Sequence, residues 1–318
     1  MSDATALPTS HTDLGPTMPH AGAPRRVGIV VHPSRSVDRP LAMLREWADR
    51  HEAEVVQMPA AYSQRRVARP GDPAESDLIV SIGGDGTTLA ALRIGAEADR
   101  PVLGIACGSL GALATVSVAD VTRSLERFRQ GEWLPRRFPA LTVSATRCEG
   151  SGESESLFAL NDAAVLRAGG GQARVTVVLD GAVYGRMAGD GVVVSTPLGS
   201  SGYAISAGGP LLASGLDGFV FTPLPKHGGF SPPLVAGPKS VLELEIGAGF
   251  AGARLEIDGQ VAEKRVRSLT IGLRPDVATM VGFPDQEPLL AGLRRRGIIL
   301  DSPRLVVDTD PERDACPD

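Results

Sequence analysis

The chain has 318 residues, which is long for one average domain and comfortable for two. Lys and Arg number 32 against 37 Asp and Glu, so the formal net charge of -5 argues against a general nucleic-acid-binding surface. Hydrophobic residues make up 42% and aromatic residues only 4%, so aliphatic side chains must fill the core. The apolar runs are too short for a membrane span, and we expect no membrane partner.

The two ends of the chain look like polar tails. Residues 1–24 are rich in Ser, Thr, Pro, Gly and Ala, and they and residues 303–318 are expected to be tails outside the fold. The first basic residue after Met1 is Arg25, so no secretory or transit peptide is expected and the predicted location is the cytoplasm. Three scattered cysteines suggest neither a disulfide framework nor a metal-binding motif.

Strands and helices alternate between residues 25 and 134. Short β-branched runs predict strands at 26–31, 54–56, 77–82 and 101–106, and helical spacing predicts helices at 40–51, 88–98 and 120–130. This alternation predicts an α/β domain with a parallel sheet. The order is Rossmann-like, but the first strand–helix unit lacks the usual Gly-x-Gly-x-x-Gly fingerprint, and the chain has no P-loop motif.

Residues 135–284 predict an antiparallel, all-β domain. Strand-like runs occur at 140–146, 157–160, 174–179, 182–187, 192–195, 219–222, 241–246, 254–257 and 269–271. Asp180-Gly181 and Asp258-Gly259 lie between such runs and predict tight hairpins. Residues 285–302 are expected to return to the first domain, with a basic helix at 288–297.

The strongest local motif is Gly-Gly-Asp-Gly-Thr at residues 83–87, between a strand and a helix. Glycines let an anion approach the backbone closely, and a helix N-terminus favours negative charge. Asp85 would repel a phosphate unless it binds a cation or a substrate hydroxyl, so we interpret it as a candidate functional carboxylate. The alternative is a plain glycine-rich turn.

A second motif runs from Gly189 to Pro210 and is rich in Gly and hydroxyl side chains. It fits a nucleotide-binding cradle and a capped helix with Tyr203 as core filler equally well. Asn161-Asp162 follows a strand and could reach a cleft or form an Asx turn. His227 is interpreted as a solvated loop residue, and Arg294-Arg295-Arg296 as a solvated helix face without a role.

Taken in order, these motifs resemble the NAD kinase family over roughly residues 26–296. Besides the Gly-Gly-Asp-Gly-Thr loop, the landmarks are Gly104-Ile105, Gly108-x-Leu110-Gly111, Asn161-Asp162, Asp190-Gly191, Ser195-Thr196-Pro197-x-Gly199-Ser200, Tyr203, residues 206–210 and Asp258-Gly259-Gln260. The resemblance implies an α/β domain followed by a β sandwich, assembled as a homodimer or homotetramer. It also implies phosphorylation of the 2′-hydroxyl on the adenosine ribose of NAD by ATP or polyphosphate, with Mg²⁺ or another divalent cation.

The resemblance also assigns roles to individual residues. Asp85 would be catalytic, orienting or deprotonating the 2′-hydroxyl, and the remaining positions would bind nucleotide: Gly83, Gly84, Gly86, Thr87, Asn161, Asp162, Asp190, Ser201, Gly202, Tyr203 and His227. The chain departs from the family pattern at Ala106, Ala112, Leu198, Lys226 and Pro232, and Leu198 removes a hydroxyl from the expected adenosine pocket. Two alternatives therefore stay open: a regulatory NAD(P)-binding protein without catalysis, and a kinase of the same fold acting on another hydroxyl.

Overall fold

The computed structural model describes residues 23–59, 65–148, 154–229, 231–247, 252–287 and 289–301. The tail expected at residues 1–24 lies outside the described residues except for Ala23 and Pro24, and the tail expected at 303–318 lies wholly outside them. None of the helices in these described ranges is long and apolar enough to cross a membrane.

The first part of the chain forms a parallel sheet with helices on both faces. Its elements are β1 (Arg26–Val31), α1 (Asp38–Arg50), β2 (Glu54–Gln57), β3 (Leu78–Gly83), α2 (Asp85–Ala98), β4 (Val102–Ala106) and α3 (Val121–Arg129). The strand order is β2-β1-β3-β4, and all three pairings are parallel. Strands β3 and β4 are buried throughout because α1 and α3 cover one face of the sheet and α2 covers the other. The predicted α/β architecture is confirmed.

Helix α2 begins earlier than its apolar pattern predicts. The expected start was Thr88, but the helix begins at Asp85, with Gly84 as an extended N-cap residue. The Gly-Gly-Asp-Gly-Thr motif is therefore a strand end joined directly to the first turn of a helix. A carboxylate in that turn is stabilised by the positive end of the helix dipole.

The second part of the chain is built from antiparallel strands. These are β5 (Leu134–Arg147), β6 (Ser154–Ala159), β7 (Asp162–Arg167), β8 (Ala173–Leu179), β9 (Ala182–Gly189), β10 (Gly191–Ser195), β11 (Phe219–Pro223), β12 (Leu234–Ala236), β13 (Leu242–Gly247), β14 (Ala253–Ile257), β15 (Gln260–Glu263) and β16 (Val266–Gly282), with α4 (Tyr203–Ser206) after β10. Six of them form a sheet in the order β12-β11-β10-β7-β14-β15. This sheet packs on β5, β8, β13 and β16 through a core that includes Val177, Phe219, Phe221 and Leu244. The predicted C-terminal β sandwich is confirmed.

Both predicted hairpins are present. Asp180 and Gly181 have positive φ angles of 50° and 80° and join β8 to β9. Asp258 and Gly259, with φ angles of 50° and 75°, join β14 to β15 in the same way. Positive φ at both central residues is the conformation of a type I′ turn, which is why the Asp-Gly pairs were informative.

The long strand β16 joins the two halves into one mixed sheet of ten strands. It pairs with β5 and β13 in the sandwich and, through Met280 and Val102, runs parallel to β4. From the sequence we predicted only residues 269–271 of this strand. A register shift between Arg274 and Ala278 bends it where Pro275 interrupts the pattern. The domain boundary predicted at residues 134/135 stays a prediction. The ten-stranded sheet contains strands from both sides of it.

Helix α5 (Leu289–Arg295) lies against the α/β half of the chain. Leu293 on this helix is fully buried, and Arg295 donates a hydrogen bond to the Leu110 carbonyl at 3.3 Å. Gly297, with a φ of 71°, follows the helix and donates to the Arg294 carbonyl. The helix therefore holds the residues that follow it, including Arg296, beside the loop that contains Leu110.

Candidate functional site

The start of α2 forms one wall of a cavity of about 780 Å³. Gly84, Asp85, Gly86 and Thr87 line it at the N-terminal end of the helix. A Cβ atom added to Gly84 or Gly86 would meet nothing within 4 Å, so the backbone here is open to a ligand. The first amides of a helix have no acceptor within the helix, so this wall is suited to an anion.

The opposite wall comes from the hairpin between β14 and β15. Its lining residues are Ile257, Asp258, Gln260, Val261 and Ala262. The α2 wall extends along one helical face, whose residues recur three or four positions apart: Gly86, Leu89, Ala90, Arg93, Ile94 and Glu97. The cavity is thus formed by an element of each half of the chain, and its size is in the range of a pocket for a nucleotide-sized ligand.

The Asp85 carboxylate holds the loop that follows β4. Its Oδ1 accepts hydrogen bonds from the amides of Leu113 at 2.9 Å and Ala114 at 3.0 Å. Its Oδ2 accepts from the Ala112 amide at 3.0 Å and from the Arg296 guanidinium at 2.6 Å. A carboxylate has about four acceptor positions, so this one is fully occupied although its side chain is 28% exposed.

Gly111 is needed for this arrangement. A Cβ atom at that position would overlap the Asp85 carboxylate. The sequence predicted Asp85 as a functional residue but not its role as an anchor of residues 112–114. Its partner Arg296 was predicted to be a solvated residue without a role; the residue is exposed as predicted, but the sequence did not reveal its pairing with Asp85.

Asp258 repeats the same pattern on the other wall. Its carboxylate accepts from the amides of Leu160 at 3.1 Å, Asn161 at 2.7 Å and Asp162 at 3.2 Å. Its fourth contact is the Arg93 guanidinium of α2, at 3.2 Å. Two carboxylates, each with three backbone amides and one arginine, therefore fix two motif loops beside the cavity. Helical spacing along α2 was the signal that could have identified Arg93.

The Asn161-Asp162 loop also binds the hydroxyl-rich turn after β10. The Thr196 amide donates to the Asn161 carbonyl at 2.9 Å, and the Thr196 hydroxyl donates to the Leu160 carbonyl at 2.6 Å. Gly199 lies so close that a Cβ atom there would overlap the Asn161 carbonyl. The structure thus brings together two motifs that lie far apart in the chain.

Asp162 and Tyr203 share an acidic environment behind this loop. Burial raises the pKa of Asp162 to about 7, and the nearby charges of Asp258 and Glu256 act in the same direction. Burial also raises the pKa of Tyr203, and the charges of Glu256, Asp162 and Asp190 add to that effect. Asp162 is therefore a carboxyl group that can carry a proton near neutral pH and donate a hydrogen bond.

The remaining predicted residues lie in three places. Gly83 ends β3, where a Cβ atom would overlap the Thr87 side chain. The Ser201 hydroxyl donates to the Leu198 carbonyl at 3.0 Å, and Gly202 follows directly. The Asp190 carboxylate accepts from Arg167 at 2.7 Å, and the exposed His227 donates its amide to the Ala188 carbonyl.

Among the described residues, the lining of the 780 Å³ cavity includes Gly84, Asp85, Gly86 and Thr87 but not Asp190, Tyr203 or His227. The predicted site residues therefore form two groups, one on α2 and one around Asp162 and Tyr203. Asp258 connects them, because it lines the cavity and also binds the Asn161-Asp162 loop.

Leu198 is buried among apolar side chains. The family resemblance places it at the adenosine pocket; in the structure it is 8% exposed and belongs to a hydrophobic cluster with Leu113, Leu160 and Met280. Its side chain lies in the same cluster as Leu113 and Leu160, which belong to the two loops bound by Asp85 and Asp258.

The described residues contain no group of three or more His, Cys, Asp or Glu side chains placed to hold a metal ion. The four acceptor positions of Asp85 are also taken by donors. The residues present therefore do not fit a cation held by the protein alone.

Family models and individual relatives give the same result when the chain is compared with known proteins. Residues 27–133 match the ATP-NAD kinase N-terminal domain family, and residues 161–273 match the ATP-NAD kinase C-terminal domain family. The chain is 34% identical over 250 residues to an NAD kinase of Acidobacterium capsulatum, covering 75% of this chain and 85% of that protein. It is 28% identical over 242 residues to an NAD kinase of Clostridium beijerinckii, covering 75% of this chain and 83% of that protein.

Two solved structures share the fold. A yeast NADH kinase complexed with NADH superimposes with a TM-score of 0.74 at 20% identity, covering 89% of this chain and 90% of that one. An NAD kinase from Archaeoglobus fulgidus in complex with ATP gives a TM-score of 0.66 at 26% identity, covering 86% of this chain and 100% of that one.

Proposed function

The chain belongs to the NAD kinase family, and we infer that it transfers a phosphoryl group to NAD to give NADP. The observation that carries this conclusion is the cavity between α2 and the β14–β15 hairpin, with the Gly-Gly-Asp-Gly-Thr motif at its wall. An open helix N-terminus, one carboxylate and two fixed motif loops are the features that phosphoryl transfer to a sugar hydroxyl requires. They supply positioning and an anion site rather than a covalent nucleophile.

In the proposed arrangement, the phosphates lie at the first turn of α2, against Gly84, Gly86 and Thr87, with Gly83 shaping the turn. Backbone amides there are fixed before the reaction and need no reorganisation when charge develops on the transferred group. The reacting 2′-hydroxyl of the adenosine ribose lies at Asp85, which orients it and accepts its proton. Proton transfer requires a free lone pair on Asp85.

The second group of residues holds NAD. Asn161 and Asp162 contact the adenine and ribose, and their loop is fixed by Asp258. Ser201, Gly202 and Tyr203 line the adenosine pocket, Asp190 lies toward the nicotinamide, and His227 faces the phosphates. Asp162, with a pKa of about 7, can donate as well as accept a hydrogen bond there. These assignments rest on the family resemblance, and Asp258 links this group of residues to the cavity wall.

The donor is ATP or polyphosphate, and the ATP complex of the Archaeoglobus fulgidus relative favours ATP. We propose that Mg²⁺ or another divalent cation acts with the phosphates. When bound, Mg²⁺ neutralises charge on transferred phosphoryl groups, and it commonly binds through substrate phosphates and few protein carboxylates. The protein is further proposed to be cytoplasmic. It is also proposed to assemble as a homodimer or homotetramer, and light scattering after gel filtration would measure its mass in solution.

The test is direct. Purified protein is incubated with NAD, MgCl₂ and either ATP or polyphosphate, and NADP is measured with an NADP-specific dehydrogenase. NADP should accumulate in proportion to enzyme and stop when EDTA is added. NAD binding by calorimetry without any NADP formation would contradict the proposed reaction.

A further inference from the structure

Arg296 touches the carboxylate at the centre of the proposed reaction. Its Nη1 atom donates to Asp85 Oδ2 at 2.6 Å, across 211 residues of sequence. Within the described residues, the Arg296 side chain makes this one hydrogen bond. A guanidinium has five N–H donors, so most of them are free on a side chain that is 28% exposed.

The contact with Arg296 differs physically from the other three contacts of Asp85. The amides of Ala112, Leu113 and Ala114 belong to a loop held by the packing of Gly111 against the carboxylate. They cannot leave without rebuilding that loop. Arg296 reaches Asp85 through a long flexible side chain, and a partly exposed ion pair of this kind is weak.

The base of that side chain is nevertheless fixed. Leu293 of α5 is fully buried, and Gly292 lies opposite the Gly111 carbonyl, 3.7 Å from where a Cβ atom would be. Arg295 binds the Leu110 carbonyl at 3.3 Å. The backbone of Arg296 is thus held in place while its guanidinium can change partner. Asp85 itself lies in the first turn of α2, the end of the helix that favours an anion.

We propose that Arg296 is a switch residue that covers Asp85 in the free protein and moves to the nucleotide phosphates when they bind. This inference rests on the proposed function. In the free protein Arg296 occupies the one acceptor position of Asp85 that can be vacated. When it leaves, Asp85 Oδ2 can accept the 2′-hydroxyl, and the guanidinium lies against the transferred phosphoryl group.

With Arg296 displaced, the phosphoryl group can be transferred to the 2′-hydroxyl. The 2′-oxygen bonds to the γ-phosphorus, the bond from that phosphorus to the β–γ bridging oxygen breaks, and the hydroxyl proton passes to Asp85. The interaction of Arg296 with the phosphoryl group is strongest in the transition state, where negative charge on the phosphoryl oxygens is shared with the leaving group. The binding of phosphate and the exposure of the base would thereby be coupled through a single side chain.

The experiment compares Arg296→Ala and Arg296→Lys with Arg294→Ala as the matched control. Arg294 pairs with the exposed Asp301 on the same segment. Arg296→Ala should lower kcat roughly 100-fold or more, as removal of arginine from a phosphoryl-transfer site does. The KM for NAD should stay within about threefold, because Arg296 does not hold NAD in the ground state. Arg296→Lys should recover part of kcat, and millimolar guanidinium should rescue Arg296→Ala but not the control.

A binding measurement separates this role from a structural one. The Kd for ATP, measured by calorimetry without NAD, should rise roughly tenfold in Arg296→Ala, about 1.4 kcal/mol, and stay unchanged in Arg294→Ala. Unchanged kcat and ATP binding with a lowered Tm would make Arg296 only a structural contact and overturn the proposal. A raised kcat would overturn it too, since Arg296 would then only inhibit. A wild-type protein that forms no NADP would refute the proposed function itself.

Discussion

Replacing Asp85 with asparagine should separate the anchoring role of this residue from its proposed role as a base. The carboxylate accepts three amide hydrogen bonds and one from Arg296. The asparagine oxygen can replace Oδ1, but its NH₂ group then faces the Ala112 amide and the guanidinium, which are both donors. One unsatisfied donor costs about 1–3 kcal/mol, and the lost charge-assisted hydrogen bonds add to this, discounted by partial exposure.

We therefore expect Asp85→Asn to lower the free energy of unfolding by about 2–4 kcal/mol. In a chain of this size each 1 kcal/mol shifts Tm by roughly 2–4 °C, so thermal unfolding should begin clearly lower. The matched control is Asp258→Asn, because Asp258 makes the same set of contacts with a side chain only 6% exposed. It should be destabilised at least as much.

The two variants should differ in chemistry. NADP formation below the Tm of both proteins should fall roughly 100-fold or more in Asp85→Asn, which loses the proton acceptor, and less in Asp258→Asn. Wild-type Tm in Asp85→Asn would refute the anchoring argument. Equal loss of kcat in both variants would refute the assignment of Asp85 as the base, because loop disorder alone would then explain it.

Three further substitutions test the loops around the cavity. Because the pKa of Asp162 is raised to about 7, the folded wild type should lose stability as pH rises from about 4 to 7. Urea titrations at pH 5 and pH 8 capture roughly two of these pH units, on the order of 3 kcal/mol, and Asp162→Asn should remove this loss. Equal stability of the wild type at both pH values would contradict the prediction. Leu198→Ala should cost about 2–5 kcal/mol of unfolding free energy, seen in the same titration, since Leu198 is a core residue; a loss below about 1 kcal/mol would place it at the surface. Gly199→Ala should raise the KM for NAD by displacing Asn161, whereas Gly170→Ala, with open space around it, should leave KM unchanged.

Most of the strands could be predicted because each carries its own local pattern. The hairpins at Asp180 and Asp258 were found for the same reason, since an Asp-Gly pair needs little tertiary context. Strand β16 was mostly missed because Pro275 and charged neighbours hide its alternation, and only its partners β5, β13 and β4 make it a strand. Strand β7, with its two alanines, has a weak pattern of its own.

The site was predictable in its motifs but not in its contacts. Asp85 could be selected from its glycine-rich motif, and Asn161 and Asp162 from the family resemblance. The pairing of Asp85 with Arg296 spans 211 residues, and nothing in the run of three arginines distinguishes the last from its neighbours. The burial of Leu198 was missed for a related reason: a position in a motif does not tell which way the side chain points.

The single sheet shared by both halves has a consequence for how this protein is made. Strand β4 is the edge of the parallel sheet until β16, near the end of the chain, has left the ribosome and docked beside it. During synthesis, β4 therefore exposes an apolar edge open to pairing with other chains. A gene fragment ending before β16 should therefore yield aggregates rather than a soluble domain.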